Sequence, residues 1–343
     1  MTLPTSVDNL NNGGAAPLLQ VNGLSVSFRS EGGLVRPVRD VSFEIGKGET
    51  VGLVGESGSG KSVLSFALMG LLPPHNSRID GGEVLMDGRD LSRLRRRAMS
   101  KLRGRDISMI FQEPMTSLNP VYTIGNQIEE VFRNHTSMGK KERRERAIDL
   151  LERVGVPRAP EIMASYPHQL SGGMRQRVMI VMAIALKPRL LIADEPTTAL
   201  DVTVQAQILR LIGRLAEEDG MAVILISHNL GVIARVCQRV MVMYAGQLVE
   251  VAPAAELYRH PRHPYTRHLF ECIPRIGMGG HRLNYIEGSV PHPGDELPGC
   301  RFAPRCREAD EGCLEREPEL AALSEGRASR CLKEGGAGFA SGD

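Results

Sequence analysis

The sequence lacks features that are typical of several protein classes. It contains no Trp, and aromatic residues make up only 4% of its 343 residues. No segment approaches the roughly 20 consecutive apolar residues that a membrane-spanning helix needs, so a role at a membrane requires a partner protein. Lys and Arg number 42 against 40 Asp and Glu, and this near balance offers no general case for nucleic-acid binding.

Three further segments carry no catalytic signal. Residues 1–17 are rich in Asn and Gly, have no charged-then-apolar signal pattern, and are predicted to be a disordered lead. The basic stretches 89–105 and 140–146 lack the interleaved aromatic residues of single-strand binders, so solvated helix faces are the favoured interpretation. Attraction to an anionic membrane surface is the open alternative for both basic stretches.

The clearest motif follows the apolar run 51–54 and reads Gly55, Glu56, Ser57, Gly58, Ser59, Gly60, Lys61 and Ser62. A strand that leads into glycines and then Lys-Ser is a P-loop, in which backbone N–H groups surround a polyphosphate. The helix that follows directs its positive N-terminal end at the phosphates. We expect Lys61 to reach the β- and γ-phosphates and Ser62 to hold Mg²⁺. The motif predicts a nucleoside triphosphate site.

A second motif ends the aliphatic run 190–193 with two carboxylates, Asp194 and Glu195. A parallel strand covered on both faces is continuously aliphatic, and ligands collect at its carboxyl end. Asp194 is placed to hold Mg²⁺, and Glu195 is placed to polarise the attacking water.

A third motif, Ser171-Gly172-Gly173, opens the helical stretch 178–186. A Ser and two glycines at a helix start form another anion-binding N-terminus. Two such sites more than 100 residues apart are excessive for one nucleotide bound by one subunit.

The order of these motifs resembles the ATP-binding cassette (ABC) family over about residues 18–252. In that family two cassettes face head to tail, and each ATP lies between one P-loop and the partner's Ser-Gly-Gly signature. Met174 stands where the commonest signature has Gln, a variant frequent among peptide-importer ATPases.

The resemblance implies roles for four more residues. Phe28 matches the aromatic residue that stacks on adenine, although a strand-core Phe is the alternative. Gln112 matches the residue that senses Mg²⁺ and the γ-phosphate and links them to the membrane partner. Asp201 matches a residue that crosses the dimer interface, and His228 matches the switch histidine that contacts the γ-phosphate.

The resemblance also implies the fold class, which is α/β: a RecA-like P-loop NTPase core with an antiparallel β subdomain and a helical subdomain. We expect the nucleotide-binding domain to span 18–252, with its helical subdomain at about 113–187. A loop-rich, Cys-containing C-terminal extension is expected over 253–343.

The expected extension carries a His263-Pro264-Tyr265-Thr266 block and four of the six cysteines. Both resemble the C-terminal extension of ATPase subunits of dipeptide and oligopeptide importers. The cysteines follow the pattern C-x5-C-x6-C-x17-C at Cys300, Cys306, Cys313 and Cys331. Some members of that family hold a [4Fe–4S] cluster at this place.

Several states of the four thiols are open. A [4Fe–4S] cluster suits separated thiolates in a loop-rich segment. Zinc favours tight C-x2-4-C pairs, which this stretch lacks, and reduced free thiols are the third alternative. Cys237 and Cys272 are predicted to be buried or free thiols outside this set. We expect the extension to have a structural or docking role.

The combined prediction is the ATP-hydrolysing subunit of a bacterial ABC importer for di- or oligopeptides, at the cytoplasmic face of the cell membrane. Its expected partners are a second, related ATPase subunit, two membrane permeases and, indirectly, an external binding protein. Import of glutathione, nickel chelates or other small solutes is the alternative. A translation or DNA-repair ATPase of the same family fits poorly, because only about 110 Pro-broken residues separate P-loop from signature.

Overall fold

The computed structural model describes residues 16–112, 117–197, 201–227, 230–272, 286–324 and 326–334. These residues form two compact units. Unit 1 takes its described residues from 1–46, 51–92 and 237–343, and unit 2 takes its residues from 47–50 and 93–236. The P-loop and the C-terminal extension therefore belong to the same unit.

Unit 1 contains a four-stranded antiparallel sheet in the order β2-β1-β4-β5. Its strands are β1 (Leu19–Ser30), β2 (Gly33–Ile45), β4 (Ser77–Met86) and β5 (Arg89–Asp90). Apolar residues of β1 such as Leu24 and Val26 are fully buried, while Arg29 and Ser30 at its end are exposed. This sheet is the antiparallel subdomain that the sequence predicts.

The second sheet of unit 1 has the strand order β11-β12-β10-β9-β3. Its strands are β3 (Thr50–Val54), β9 (Arg239–Tyr244), β10 (Gln247–Pro253), β11 (Ala321–Ser324) and β12 (Arg327–Ser329). Strands β3 and β9 are parallel, and the other pairs are antiparallel. The C-terminal extension thus adds two strands to the sheet from which the P-loop emerges.

The helices of unit 1 are α1 (Lys61–Leu68), α9 (Ala254–Arg259), α10 (Pro264–Glu271) and α11 (Glu311–Glu315). Helix α1 begins at Lys61, within the last two residues of the P-loop. Helices α9 and α10 lie at the start of the extension that is expected to be loop-rich over 253–343. Both helices have eight residues or fewer, so neither is long enough to show a clear 3.6-residue periodicity.

Unit 2 is built on three parallel strands in the order β8-β7-β6. They are β6 (Ile107–Ile110), β7 (Leu190–Asp194) and β8 (Ala222–Ile226), and every residue in them is buried. Continuous burial explains why their sequences are aliphatic without alternation. The carboxyl ends of β6 and β7 precede Gln112 and Glu195.

The helices of unit 2 are α2 (Arg96–Leu102), α3 (Ile124–His135), α4 (Lys140–Arg153), α5 (Ala159–Ile162), α6 (Gly172–Ile184), α7 (Val202–Asp219) and α8 (Leu230–Val236). The segment 113–187, which we predict to be mostly helical, contains α3 to α6. The basic stretch 140–146 lies on α4, where most of its residues are exposed. In the part of the chain that the structure describes, no helix has both the length and the apolar character needed to cross a bilayer.

Candidate nucleotide site

The P-loop is folded around its own lysine. The Lys61 ammonium donates to the carbonyl oxygens of Gly55 at 2.8 Å and Glu56 at 2.9 Å, and to the Ser59 hydroxyl at 3.3 Å. Lys61 is the first residue of α1 and is only 7% exposed. All three of these acceptors belong to the P-loop, so the ammonium lies inside the turn of the loop.

Two P-loop glycines are required by close approaches of other backbone. A Cβ on Gly55 would lie 2.1 Å from the Met243 carbonyl oxygen, and one on Gly60 would lie 2.1 Å from the Pro37 carbonyl oxygen. Both residues also have positive φ, 155° and 103° respectively. Any side chain at either position would displace the loop from its neighbours.

Residues of the C-terminal extension hold Glu56, the second residue of the P-loop. The backbone N–H of Glu56 donates to the Tyr265 hydroxyl at 2.9 Å. Its carboxylate pairs with the Arg305 guanidinium, with Nη1 to Oε2 at 2.9 Å and Nη2 to Oε1 at 3.4 Å. No local sequence pattern identifies Arg305 as a partner of Glu56, since the two residues are 249 positions apart.

An aromatic cluster supports this contact. The Phe302 ring centroid lies 5.2 Å from that of Tyr244 and 5.5 Å from that of Tyr265, both edge-on, and Tyr244 and Tyr265 lie 4.6 Å apart. Burial raises the pKa of Tyr265, and the nearby Glu56 carboxylate raises it further. The His-Pro-Tyr-Thr block was the available sequence signal, but its tyrosine had no assigned role.

In unit 2 the structure brings together two predicted catalytic residues. Gln112 donates from its side-chain amide to Oε2 of Glu195 at 3.0 Å. Glu195 has a positive φ of 44°, and its N–H donates to the Ile226 carbonyl at 3.0 Å. Asp194, at the end of β7, is only 3% exposed. The strained turn after β7 therefore places Glu195 beside Gln112, which lies two residues beyond the end of β6.

The signature residues and Asp201 lie at two helix starts of unit 2. Ser171 is the N-cap of α6, and its hydroxyl accepts from the N–H of Met174 at 3.3 Å. Gly172 and Gly173 form the first turn of that helix. Asp201 is the N-cap of α7 and accepts from the N–H of Val204 at 2.9 Å. Ser171 and Asp201 are both exposed.

The other predicted site residues, apart from His228, lie in unit 1. Phe28 lies in β1 opposite Val35 and Ser77 and is half-buried, so its ring is not part of the core. Ser57 and Gly58 are exposed at the tip of the P-loop, and Ser62 lies in the first turn of α1. His228 lies outside the described residues.

The four C-terminal cysteines line one pocket. Its cavity volume is only about 20 Å³, and its other lining residues include His263 and Lys333. The thiols in the pocket are Cys300, Cys306, Cys313 and Cys331. Across the described ranges, no group of three or more His, Cys, Asp or Glu side chains is arranged to hold a metal ion. The predicted metal site is therefore not supported by side-chain positions.

The thiols in this pocket are close enough to affect one another's charge. Burial raises the pKa of Cys300 to about 11, and the neighbouring thiols of Cys331 and Cys306 raise it further. Burial also raises the pKa of Cys306 and Cys331. Outside the pocket, Cys237 is buried and its pKa is raised to about 12. Cys237, Cys300, Cys306 and Cys331 therefore stay protonated at neutral pH unless a cation compensates the thiolate charge.

Two known families match separate parts of the chain. Residues 38–198 match the family described as ABC transporter. Residues 249–313 match the family described as the C-terminal region of oligopeptide and dipeptide transporters.

Individual relatives match along nearly the whole chain. Oligopeptide transport ATP-binding protein AppD of Bacillus subtilis is 51% identical over 315 residues, which are 92% of this chain and 96% of AppD. A Brucella ovis protein, provisionally named a peptide import ATP-binding protein, is 49% identical over 328 residues, 92% of this chain and 97% of that protein.

Solved structures agree in fold. The ATP-binding cassette MJ0796, in a dimeric post-hydrolysis state bound to ADP and Pi, is 28% identical, with a TM-score of 0.62. The match covers 69% of this chain and 98% of MJ0796. The fold and the P-loop define a nucleotide-binding protein of the P-loop NTPase class. The chain belongs to the ABC transporter family and is one of its ATPases.

Proposed function

We propose that this ATPase drives the import of di- or oligopeptides through membrane permease subunits at the cytoplasmic face of the cell membrane. The proposal rests on one observation: proteins of oligopeptide transport match this chain in both the cassette and the C-terminal extension. AppD is named for oligopeptide transport, and it is similar over 92% of this chain, including the extension. The match of residues 249–313 to the oligopeptide and dipeptide transporter region supports the same substrate class.

The site residues have the following proposed roles. Lys61 and the N–H groups of the P-loop bind the β- and γ-phosphates, and Ser62 and Asp194 hold Mg²⁺. Glu195 accepts a proton from the attacking water. The hydrogen bond that Gln112 donates to Glu195 supports a role for Gln112 in orienting that carboxylate. His228 contacts the γ-phosphate, and Phe28 stacks on the adenine.

The proposed assembly is a pair of cassettes. Ser171, Gly172, Gly173 and Asp201 would serve the ATP held by the P-loop of a second ATPase subunit. The exposure of Ser171 and Asp201 supports this assignment, as does the dimeric state named for MJ0796. We propose a related, non-identical chain as the second subunit.

Transport assays in the native host test the substrate class. Deletion of the gene should abolish the uptake of labelled di- or oligopeptides, and the wild-type gene should restore it. The gene for Lys61→Ala should not restore uptake, because this variant lacks the phosphate-binding charge. Normal peptide uptake in the deletion strain, with loss of glutathione or nickel-chelate uptake, would contradict the peptide assignment and support the alternative cargo.

The cysteine pocket is proposed to hold a [4Fe–4S] cluster. A cubane cluster spreads its thiolate ligands further apart than one metal ion does. Convergence of four thiols on one pocket supports this proposal, and the lack of a tight C-x2-4-C pair among these cysteines disfavours zinc. Cys300, Cys306, Cys313 and Cys331 would be the ligands of the cluster. When bound, the cluster would cross-link the segments of the extension that carry these cysteines.

Iron analysis of anaerobically purified protein tests this proposal. We expect broad absorbance near 400 nm and about four irons per chain. Replacing any of the four pocket cysteines by Ser should remove both signals. Cys237→Ser and Cys272→Ser are matched controls that should retain them. One equivalent of zinc without iron in protein from iron-replete cells would overturn the assignment.

A further inference from the structure

Arg305 is the central residue of the contact between the C-terminal extension and the P-loop. Its side chain is 6% exposed, and its guanidinium pairs with both Glu56 oxygens. The remaining donor directions meet the Tyr244 hydroxyl at 3.2 Å, the Ile286 carbonyl at 3.2 Å and the Glu287 carbonyl at 2.9 Å. A planar guanidinium held at this many points has little freedom to move.

A second contact holds the backbone of the same P-loop residue. The Tyr265 hydroxyl accepts the Glu56 N–H at 2.9 Å. Tyr265 is fully buried and packs against Tyr244 and Phe302. The extension therefore holds both the main chain and the side chain of Glu56.

The held residue is also a direct partner of the P-loop lysine. Lys61 donates to the carbonyl oxygen of Glu56 at 2.9 Å and to that of the preceding Gly55 at 2.8 Å. A displacement of Glu56 would therefore move the groups that position the ammonium and would change the direction of the loop N–H groups. Catalysed steps are sensitive to such shifts, since a displacement of about 1 Å can lower a reaction rate by about 10²-fold.

We propose that Arg305 is a positioning residue for the P-loop, so that the C-terminal extension completes the nucleotide site of its own chain. The ion pair with Glu56 sets the position of the loop, and the Tyr265 hydroxyl fixes its backbone. This inference rests on the proposed phosphate-binding role of the P-loop. The sequence predicts a structural or docking role for the extension, and this inference specifies such a role by its contact with the P-loop.

Binding of ADP to the full chain, measured by isothermal titration calorimetry, tests the inference. Arg305→Gln should weaken ADP binding by about tenfold, because the P-loop loses its side-chain anchor. Arg305→Lys keeps the charge without the two-point contact and should give an intermediate affinity.

Arg327→Gln is the matched control. Arg327 also belongs to the extension, is 11% exposed, and pairs with Glu256 at 3.4 Å and with the His260 carbonyl at 2.7 Å. Its substitution should lower the melting temperature in a comparable way and leave the Kd for ADP within about twofold of the wild-type value.

The outcomes separate the inference from the proposed function. A Kd for Arg305→Gln within twofold of wild type would overturn the inference, and so would equal weakening in Arg327→Gln. Lys61→Ala should lose ADP binding, and unchanged binding in that variant would instead refute the phosphate-binding role of the P-loop.

If Arg305→Gln does not fold, the Kd for ADP of the Tyr265→Phe variant tests the inference instead. It removes only the hydroxyl that accepts from Glu56, and a weakening of roughly two- to twelvefold corresponds to one hydrogen bond of about 0.5–1.5 kcal/mol. An unchanged Kd for ADP in a folded Tyr265→Phe protein would overturn the inference.

Discussion

Replacing Phe302 by Ala should destabilise the unit that contains the P-loop. The Phe302 side chain is 1% exposed, and its ring lies 5.2 Å from Tyr244, 5.5 Å from Tyr265 and 5.9 Å from both His263 and His268. Truncating a Phe in such a core costs about 3–5 kcal/mol. For a folding unit of roughly 150–250 residues this corresponds to a melting temperature lower by about 6–20 °C.

Differential scanning calorimetry with and without ADP measures this effect. The extension and the P-loop share one compact unit, so the transition that ADP raises should be the same one that Phe302→Ala lowers. Phe302→Leu keeps most of the buried apolar area and should cost only about 1–2 kcal/mol. Two separate transitions, with ADP acting only on the one that Phe302→Ala leaves unchanged, would refute the reasoning.

Three other perturbations have distinct expected results. Glu195→Gln should retain ATP binding and lower hydrolysis by about 10²-fold or more, and wild-type turnover would place the base elsewhere. Because Ser171 is proposed to serve a partner's ATP, the isolated chain should hydrolyse ATP slowly, and faster once the second ATPase subunit and the permeases are added, whereas full activity in a dilute monomeric sample would contradict this. Burial alone would raise the pKa of Asp219, but hydrogen bonds from Arg153 at 2.8 Å and Lys187 at 3.1 Å outweigh it and lower the pKa. This stabilisation is present above the unfolded-state pKa of about 3.9 and is lost as the pH falls below it. In thermal melts Asp219→Asn should therefore lose about 1–3 kcal/mol at pH 7 and become less acid-sensitive, and an unchanged acid dependence would contradict this.

The sequence predicted the parts of the site that depend on contiguous residues. The P-loop is a strand, a glycine turn and a helix start in one stretch, so its local backbone preferences determine its shape. The same holds for the N-caps Ser171 and Asp201, whose side chains accept from N–H groups three residues ahead. Buried strand β7 was visible as the aliphatic run 190–193 for the same reason.

The extension was less predictable because its elements are short. Strand β12 has three residues and is held by pairing with β10, Glu250 opposite Ser329. No periodicity can appear over so short a segment, and the pairing depends on a partner far away in the chain. Likewise, the Cys spacing indicated a possible set of ligands, but only folding placed all four thiols in one pocket.

The sequence by itself determined that the chain has a P-loop, two carboxylates after a buried strand and a Ser-Gly-Gly helix start, because each is a local pattern with its own backbone geometry. Only the tertiary structure decided that Tyr265 and Arg305, 209 and 249 residues from Glu56, hold the P-loop. Such contacts arise when distant segments pack together, and no local preference of either segment specifies them.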